Sequence, residues 1–166
     1  DASNIQGGHA DKLFIPQTTA EIAEIIKEAN ENNVSVTISG ARTGLVGGCV
    51  PFGGYLISLE KFNQIKSIGE DSAVAQAAVI LADFQKETEA KGFFYPPDPT
   101  ETNCYIGGTV ATNASGAKTF KYGPTRDYVI GLQVVLPDGE VVDLERGKQK
   151  AIGYALSLTT QSGKNI

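Results

Sequence analysis

The sequence predicts an α+β chain made of two α/β lobes with a ligand cleft between them, and three observations predict it. Apolar residues switch between strand and helix spacing along the first ninety residues. Two glycine-rich segments, 39–48 and 93–127, interrupt that regular pattern and bracket ordinary structure. Two β-branched runs around Pro-Asp-Gly then read as a hairpin over 128–144. Lobe one is expected at about 1–69 and lobe two at about 70–166, with both glycine segments lining one cleft.

The elements follow in order. "LFIP" opens with a short apolar strand. Thr18 precedes Glu21 by a capping-box interval, and Ile22, Ile25, Ile26 and Ala29 recur at helical spacing, which predicts a helix from about 19 to 31. "VSVTI" at 34–38 alternates as a strand does, "GGYLISL" at 53–59 reads as the next strand, and "SAVAQAAVIL" at 72–81 as another. "LADFQKETEAKG" at 81–92 is a helix with Gly92 as its stop. The segment 93–127 is too long and polar for a mere connector, and loops of that kind in small domains are usually functional. Within it "GGTVATNA" predicts one short buried helix. The tail "KQKAIGYALSLTTQSGKNI" is ambiguous between helix and strand.

Composition narrows the function. At 166 residues and 41% hydrophobic, the chain has enough apolar side chains for a real core. A net charge of −5 without like-charge blocks argues against nucleic acid and against a basic membrane patch. No apolar run approaches the ~20 residues a membrane span needs. Cys49 and Cys104 stand far apart, in neither a disulfide framework nor a zinc pattern, so a reduced, cytoplasmic setting is expected. The sequence starts at Asp1, lacks methionine and stops at "SGKNI", and reads as a fragment.

Successive glycines expose backbone N–H groups that form a concavity for phosphate oxygens, so "SGARTGLVGG" asks for an anion. It is not the dinucleotide fingerprint G-x-G-x-x-G, because Arg42 stands at the second glycine. Nor is "SGAKT" a P-loop, since Thr112 and Ala117 occupy the glycine positions. "NAS" at 113–115 matches a glycosylation acceptor by chance, in a chain without a secretory signal.

"SGARTGLVGG" resembles the pyrophosphate loop, roughly R-G-x-G-T-G-L-x-G-G, of the FAD-binding domain shared by vanillyl-alcohol oxidase and p-cresol methylhydroxylase. "PPDPTETNCYIGGTVATNASGAKTFKYGPTRDYVIGLQVVLPDGEVV" is similar to that family's second FAD segment, nearest the branch of D-lactate dehydrogenase, the glycolate oxidase D-subunit and D-2-hydroxyglutarate dehydrogenase. The opening "DAS" also resembles the start of that domain. The resemblance covers nearly the whole chain and implies the p-cresol methylhydroxylase-type FAD-binding fold, with FAD bound non-covalently. It would place the pyrophosphate on Gly40, Ala41, Arg42, Thr43, Gly44, Gly47 and Gly48. The second segment would supply Asp98, Thr100, Ile106, Gly107, Gly108, Thr112, Asn113, Ser115 and Gly116, with the Asn113 amide near the ribityl chain or ring.

Ser39 and Arg42 depart from the family pattern, which has arginine and a small residue there. Arg42 either gives its guanidinium to the pyrophosphate or turns to solvent or to a carboxylate, and the sequence leaves both open. The loop lacks the histidine that family members with covalent FAD use there, and Cys104 reads as a small buried thiol. No catalytic or metal-binding residue is expected in this stretch. By resemblance the whole protein is a dehydrogenase oxidising a small 2-hydroxy acid by hydride transfer to the flavin. Its catalytic base, metal site and route to an electron acceptor would lie in a C-terminal cap domain. The alternatives are a non-catalytic flavin- or nucleotide-binding module and an FAD oxidase of another substrate class, because fold does not fix substrate.

Overall fold

The computed structural model describes residues 1–147, so the ambiguous tail lies outside the described residues. The chain begins with β1 (Lys12–Phe14), α1 (Thr19–Glu31), β2 (Val36–Ser39) and β3 (Tyr55–Ser58). The Thr18 cap forms as its spacing predicts, its hydroxyl accepting the Glu21 amide at 3.2 Å, while the Glu21 carboxylate reaches one residue beyond the cap and accepts the Gln17 amide at 2.6 Å. Asn33, left-handed at φ 52, ends the helix and turns the Val34 amide back to the Ala29 carbonyl. The three strands pair in parallel in the order β1-β3-β2, with Phe14, Ile57 and Ile38 in one register row. Ile57 is fully buried at the centre of this sheet.

Helix α1 is tied to the sheet by one polar cluster. The Tyr55 hydroxyl donates to Glu28 Oε1 at 2.8 Å and Lys12 Nζ donates to the same oxygen at 3.3 Å, while Lys12 sits 4.3 Å over the Phe14 ring. The Tyr55 bond, and then Lys12, hold the Glu28 carboxyl below the usual carboxylate range, and the same bond pushes the Tyr55 phenol up.

Next come β4 (Ile65–Ile68) and β5 (Ala73–Ala75), an antiparallel hairpin whose turn holds Gly69 and Ser72. β4 escapes a reading by alternation because Ile-Lys-Ser-Ile carries no period of two and the ladder is irregular between Ile65 and Ser67. The strand expected over 72–81 shortens to β5. From Gln76 the backbone bonds instead to the stretch before β4, Gln76 N to Gln64 O and Ala78 N to Phe62 O, which buries Ala78 and Val79. Helix α2 (Leu81–Glu89) buries Leu81, Phe84 and Thr88, and Gly92 at φ 83 lets the Phe93 amide close onto the Thr88 carbonyl.

The rest of the described chain holds α3 (Ile106–Ala111), α4 (Thr119–Tyr122), a 3₁₀ turn at Thr125–Tyr128 and the hairpin of β6 (Gly131–Val135) with β7 (Val141–Glu145). Helix α3 is shorter and less buried than the sequence predicts, with Thr109 its one buried residue. The β6–β7 hairpin docks on α1: Thr19 Oγ1 donates to Gln133 Oε1 at 3.1 Å, Asn30 Nδ2 donates to the Pro137 carbonyl, and Leu136 in the turn is buried.

Candidate cofactor-binding site

The first glycine segment leaves the carboxyl end of β2, the edge of a parallel sheet at which ligands of open α/β sheets sit. No amide from Gly40 to Gly48 donates a hydrogen bond to a described residue. The loop is instead held through its carbonyls and its far side. Ala2 N donates to Gly44 O, Val50 N to Gly47 O, and His9 N to Pro51 O. Gly47, at φ 77, packs so tightly on the Ile5 side chain that any Cβ there would overlap it. The N-terminal residues thus act as a strap behind the loop and leave its row of amides free to donate.

Within the loop, Ala41 and Thr43 are half-buried and Gly48 borders open space. Arg42 is exposed, has no carboxylate partner among the described residues, and adopts the left-handed backbone at φ 61. A side chain in that conformation costs roughly 1–2 kcal/mol.

The second segment is built differently. Ile106 N donates to Val79 O and Gly107 N to Ala77 O, which fastens the start of α3 onto the turn after β5. A Cβ on Gly107 would lie 2.8 Å from the Ala77 Cβ, so this glycine serves close packing, whereas Gly108 faces open space. Gly116 lies against the Asp98–Pro99 backbone, where a Cβ would overlap the Asp98 carbonyl, and its amide donates to Thr119 Oγ1 at 2.8 Å. The Asp98 carboxylate pairs with Lys118 at 3.4 Å. Thr112 Oγ1 donates back to Gly108 O, while Thr100 and Ser115 are exposed.

Asn113 takes the left-handed backbone at φ 48 and accepts the Arg126 amide on Oδ1 at 3.0 Å. Next to it, fully buried Thr125 donates to Ala114 O at 2.8 Å, so the 3₁₀ turn and α3 share one core. Tyr95 packs edge-on to Phe84 at 5.0 Å and Tyr128 at 5.9 Å, and burial pushes its phenol up to about 12. Burial, with the Glu101 carboxylate adding to it, also pushes the Cys104 thiol up. Cys49 and Cys104 are both free, and no group of residues among those described is arranged to hold a metal ion.

The two segments meet at Tyr105, a residue that the sequence reasoning did not select. Its ring lies 3.6 Å from where a Cβ of Gly40 would stand, and it lines a cavity of about 230 Å³ together with Glu60, Asn63, Val79, Ile80 and Asp83. The available signal was an aromatic residue directly before Ile-Gly-Gly.

A parallel sheet with a row of undirected amides at its carboxyl edge, backed by a second glycine segment, defines a nucleotide-cofactor-binding α+β domain. The chain belongs to the FAD binding domain family (FAD_binding_4), whose profile matches residues 10–145. It is 45% identical over 161 residues to the D-lactate dehydrogenase of Anaerostipes hadrus, covering 94% of this chain and 34% of the relative. It is 42% identical over 136 residues to glycolate oxidase subunit GlcD of Bacillus subtilis, covering 80% and 29%. It is 39% identical over 154 residues to the mitochondrial D-2-hydroxyglutarate dehydrogenase of Bos taurus, covering 90% and 28%. The chain therefore spans about a third of the length of these relatives.

Solved structures share the p-cresol methylhydroxylase-type fold. Chitooligosaccharide oxidase superposes with a TM-score of 0.73 at 22% identity, over 82% of this chain and 30% of its own. 6-Hydroxy-D-nicotine oxidase from Arthrobacter nicotinovorans does so with 0.71 at 22%, over 87% and 33%.

Proposed function

We propose that this chain is the FAD-binding portion of a flavin-dependent dehydrogenase that oxidises a 2-hydroxy acid such as D-lactate, glycolate or D-2-hydroxyglutarate. The observation that carries the reading is the row of amides from Gly40 to Gly48, free of internal partners at the carboxyl edge of a parallel sheet. A pyrophosphate needs such donors. In this reading Gly40, Ala41, Thr43, Gly44, Gly47 and Gly48 hold the phosphates, and Arg42 brings its unpaired guanidinium alongside. Asp98, Thr100, Ile106, Gly107, Gly108, Thr112, Asn113, Ser115 and Gly116 form the second wall, with lobes divided near residue 70. Non-covalent attachment is supported by a first loop without histidine and by a Cys104 thiol that burial keeps protonated.

When bound, FAD supplies the hydride acceptor for the substrate carbon. The residues of this chain bind and orient it and exclude water from it. The relatives are named for oxidising or dehydrogenating 2-hydroxy acids, which supports the substrate class. The catalytic base, substrate contacts and electron acceptor belong in this reading to a cap domain beyond the chain. No helix among the described residues is long and apolar enough to cross a membrane. Two free cysteines support a reducing compartment, with the cytoplasm as the expected one.

The test is a titration of the chain with FAD, followed by visible absorption and thermal melting. Resolved, shifted flavin bands and a higher melting temperature are expected, because a ligand of the folded state adds about 2.7 kcal/mol at a hundredfold excess over its dissociation constant. An unchanged spectrum with an unchanged melt would overturn the cofactor reading. The substrate class is tested on the longer protein, which should reduce an artificial acceptor with D-lactate or D-2-hydroxyglutarate, whereas this chain alone should not.

A further inference from the structure

The strap behind the first glycine loop is fastened at both ends and seated in the middle. At one end His9 N donates to Pro51 O and Gly53 N to His9 O, around a parallel bridge of His9 with Phe52. At the other end Ala2 N donates to Gly44 O at 3.0 Å. Between them the Asp1 carboxylate accepts the Ser3 amide at 3.0 Å and the Ser3 hydroxyl at 2.5 Å, and Ser3 Oγ accepts the Ile5 amide at 3.2 Å. The Ile5 side chain seats on Gly47, and Gly8 lies so close to the Val50 side chain that a Cβ there would overlap it.

Planarity converts this fastening into a direction for the donors. In a trans peptide the carbonyl of one residue and the N–H of the next point in opposite senses. The bond from Ala2 draws the Gly44 carbonyl back to the strap, so the Leu45 N–H in the same plane points away from it. The bond from Val50 N to Gly47 O fixes the Gly47–Gly48 plane in turn, with Ile5 packed behind it. Neither the Leu45 nor the Gly48 amide donates to a described residue. A glycine-rich loop has the most backbone entropy to lose, and ordering it only when an anion arrived would oppose binding. Donors already held in place avoid that cost.

We propose that the N-terminal strap is a positioning element for the cofactor loop: the Ala2 amide and the Ile5 side chain hold the Gly44–Leu45 and Gly47–Gly48 peptide planes with their N–H groups turned to the pyrophosphate, without touching the cofactor themselves. The proposal rests on the reading of the chain as an FAD-binding domain. It assigns work to residues that precede the family match, which begins at residue 10.

The experiment titrates the wild-type chain, Ala2→Pro, Ala2→Ser and Ile5→Ala with FAD, and melts each without ligand. Ala2→Pro removes the N–H and Ala2→Ser keeps it, at a position whose side chain is exposed. Ala2→Pro and Ile5→Ala should each bind FAD about 3- to 10-fold more weakly, the loss of one interaction that orders the loop. Ala2→Ser should bind as wild type does. The unliganded melts should all coincide, because a strap can detach locally while the domain stays folded. Amide hydrogen exchange reads the planes themselves: FAD should protect Leu45 and Gly48 in wild type, and the protection at Leu45 should be lost in Ala2→Pro. If Ala2→Pro fails to fold, Ile5→Ala decides. Wild-type affinity in Ala2→Pro and Ile5→Ala, or a melt that falls in step with affinity, overturns the proposal and leaves the cofactor reading intact. Absence of binding by the wild-type chain overturns the cofactor reading itself, so the two failures are distinguishable.

Discussion

The two glycine segments look alike in sequence and are opposite in construction. From Gly40 to Gly48 the amides bond to no described residue and the loop is braced from behind by the N-terminal strap. In the second segment the amides of Ile106 and Gly107 bond to the turn after β5, and those of Thr112, Asn113, Ala114 and Gly116 bond within the segment itself. There the glycines at 107 and 116 let backbone touch backbone. Glycine enrichment thus has two physical causes, exposure of backbone donors and removal of Cβ between packed stretches of chain, and only contacts in space separate them.

Four measurements test this contrast. The largest effect is expected for Gly116→Ala, whose Cβ would overlap the Asp98 carbonyl. Because backbone must move on both sides, chemical denaturation should show a loss of about 3 kcal/mol or more, at the upper end of overpacking costs.

Gly107→Ala meets the Ala77 Cβ at 2.8 Å and the Ala77 carbonyl at 2.9 Å. It sits in α3, where alanine returns up to about 1 kcal/mol of helix propensity, so a net loss of about 1–2 kcal/mol is expected from the same denaturation curves.

Tyr95 reports the packing of the second region through pH. Burial disfavours its phenolate in the folded state, moving it from 10.0 to about 12. The unfolded chain therefore ionises first, and the contribution to stability is whole below pH 10 and is lost as pH rises to about 12. Melts across that window should fall less steeply for Tyr95→Phe than for wild type. Equal slopes would mean the ring is not buried as described.

The smallest effect on stability belongs to the first region. Gly48→Ala adds a Cβ to open space at an ordinary backbone angle. Its melting curve should stay within about 0.5 kcal/mol of wild type, while its FAD affinity falls if the proposed cofactor site includes Gly48. If Gly48→Ala were instead to destabilise like Gly107→Ala, the contrast between the two segments would collapse.

What the sequence made legible was local or carried by a motif. The Thr18 cap of α1, the Gly92 stop and the Pro-Asp-Gly hairpin depend on residues a few positions apart, and each forms. The family and cofactor were legible because two long motifs stand in order. The irregular β4, the shortened β5 and the docking of the last hairpin on α1 were not, because each depends on partners distant in the chain, such as Asn30 with Pro137 or Gln64 with Gln76. In the site, the glycines at 107 and 116 could be chosen by motif, yet their work against Ala77 and Asp98 is visible only in space. Tyr105 went unselected for the same reason.

The strand order β1-β3-β2 also governs how this chain comes into being. The last of the three strands occupies the middle of the sheet, so neither β1 nor β2 has a neighbour to pair with until Tyr55–Ser58 is available. During synthesis, residues 12–54 hold one helix flanked by two strands that have not yet met their partner. Closing a parallel ladder across so much chain is slow, because the entropy of loop closure must be met before any rung forms. The sheet edge that presents the amide row is complete only once β3 joins, and a chain interrupted before β3 would expose both orphan strands to aggregation.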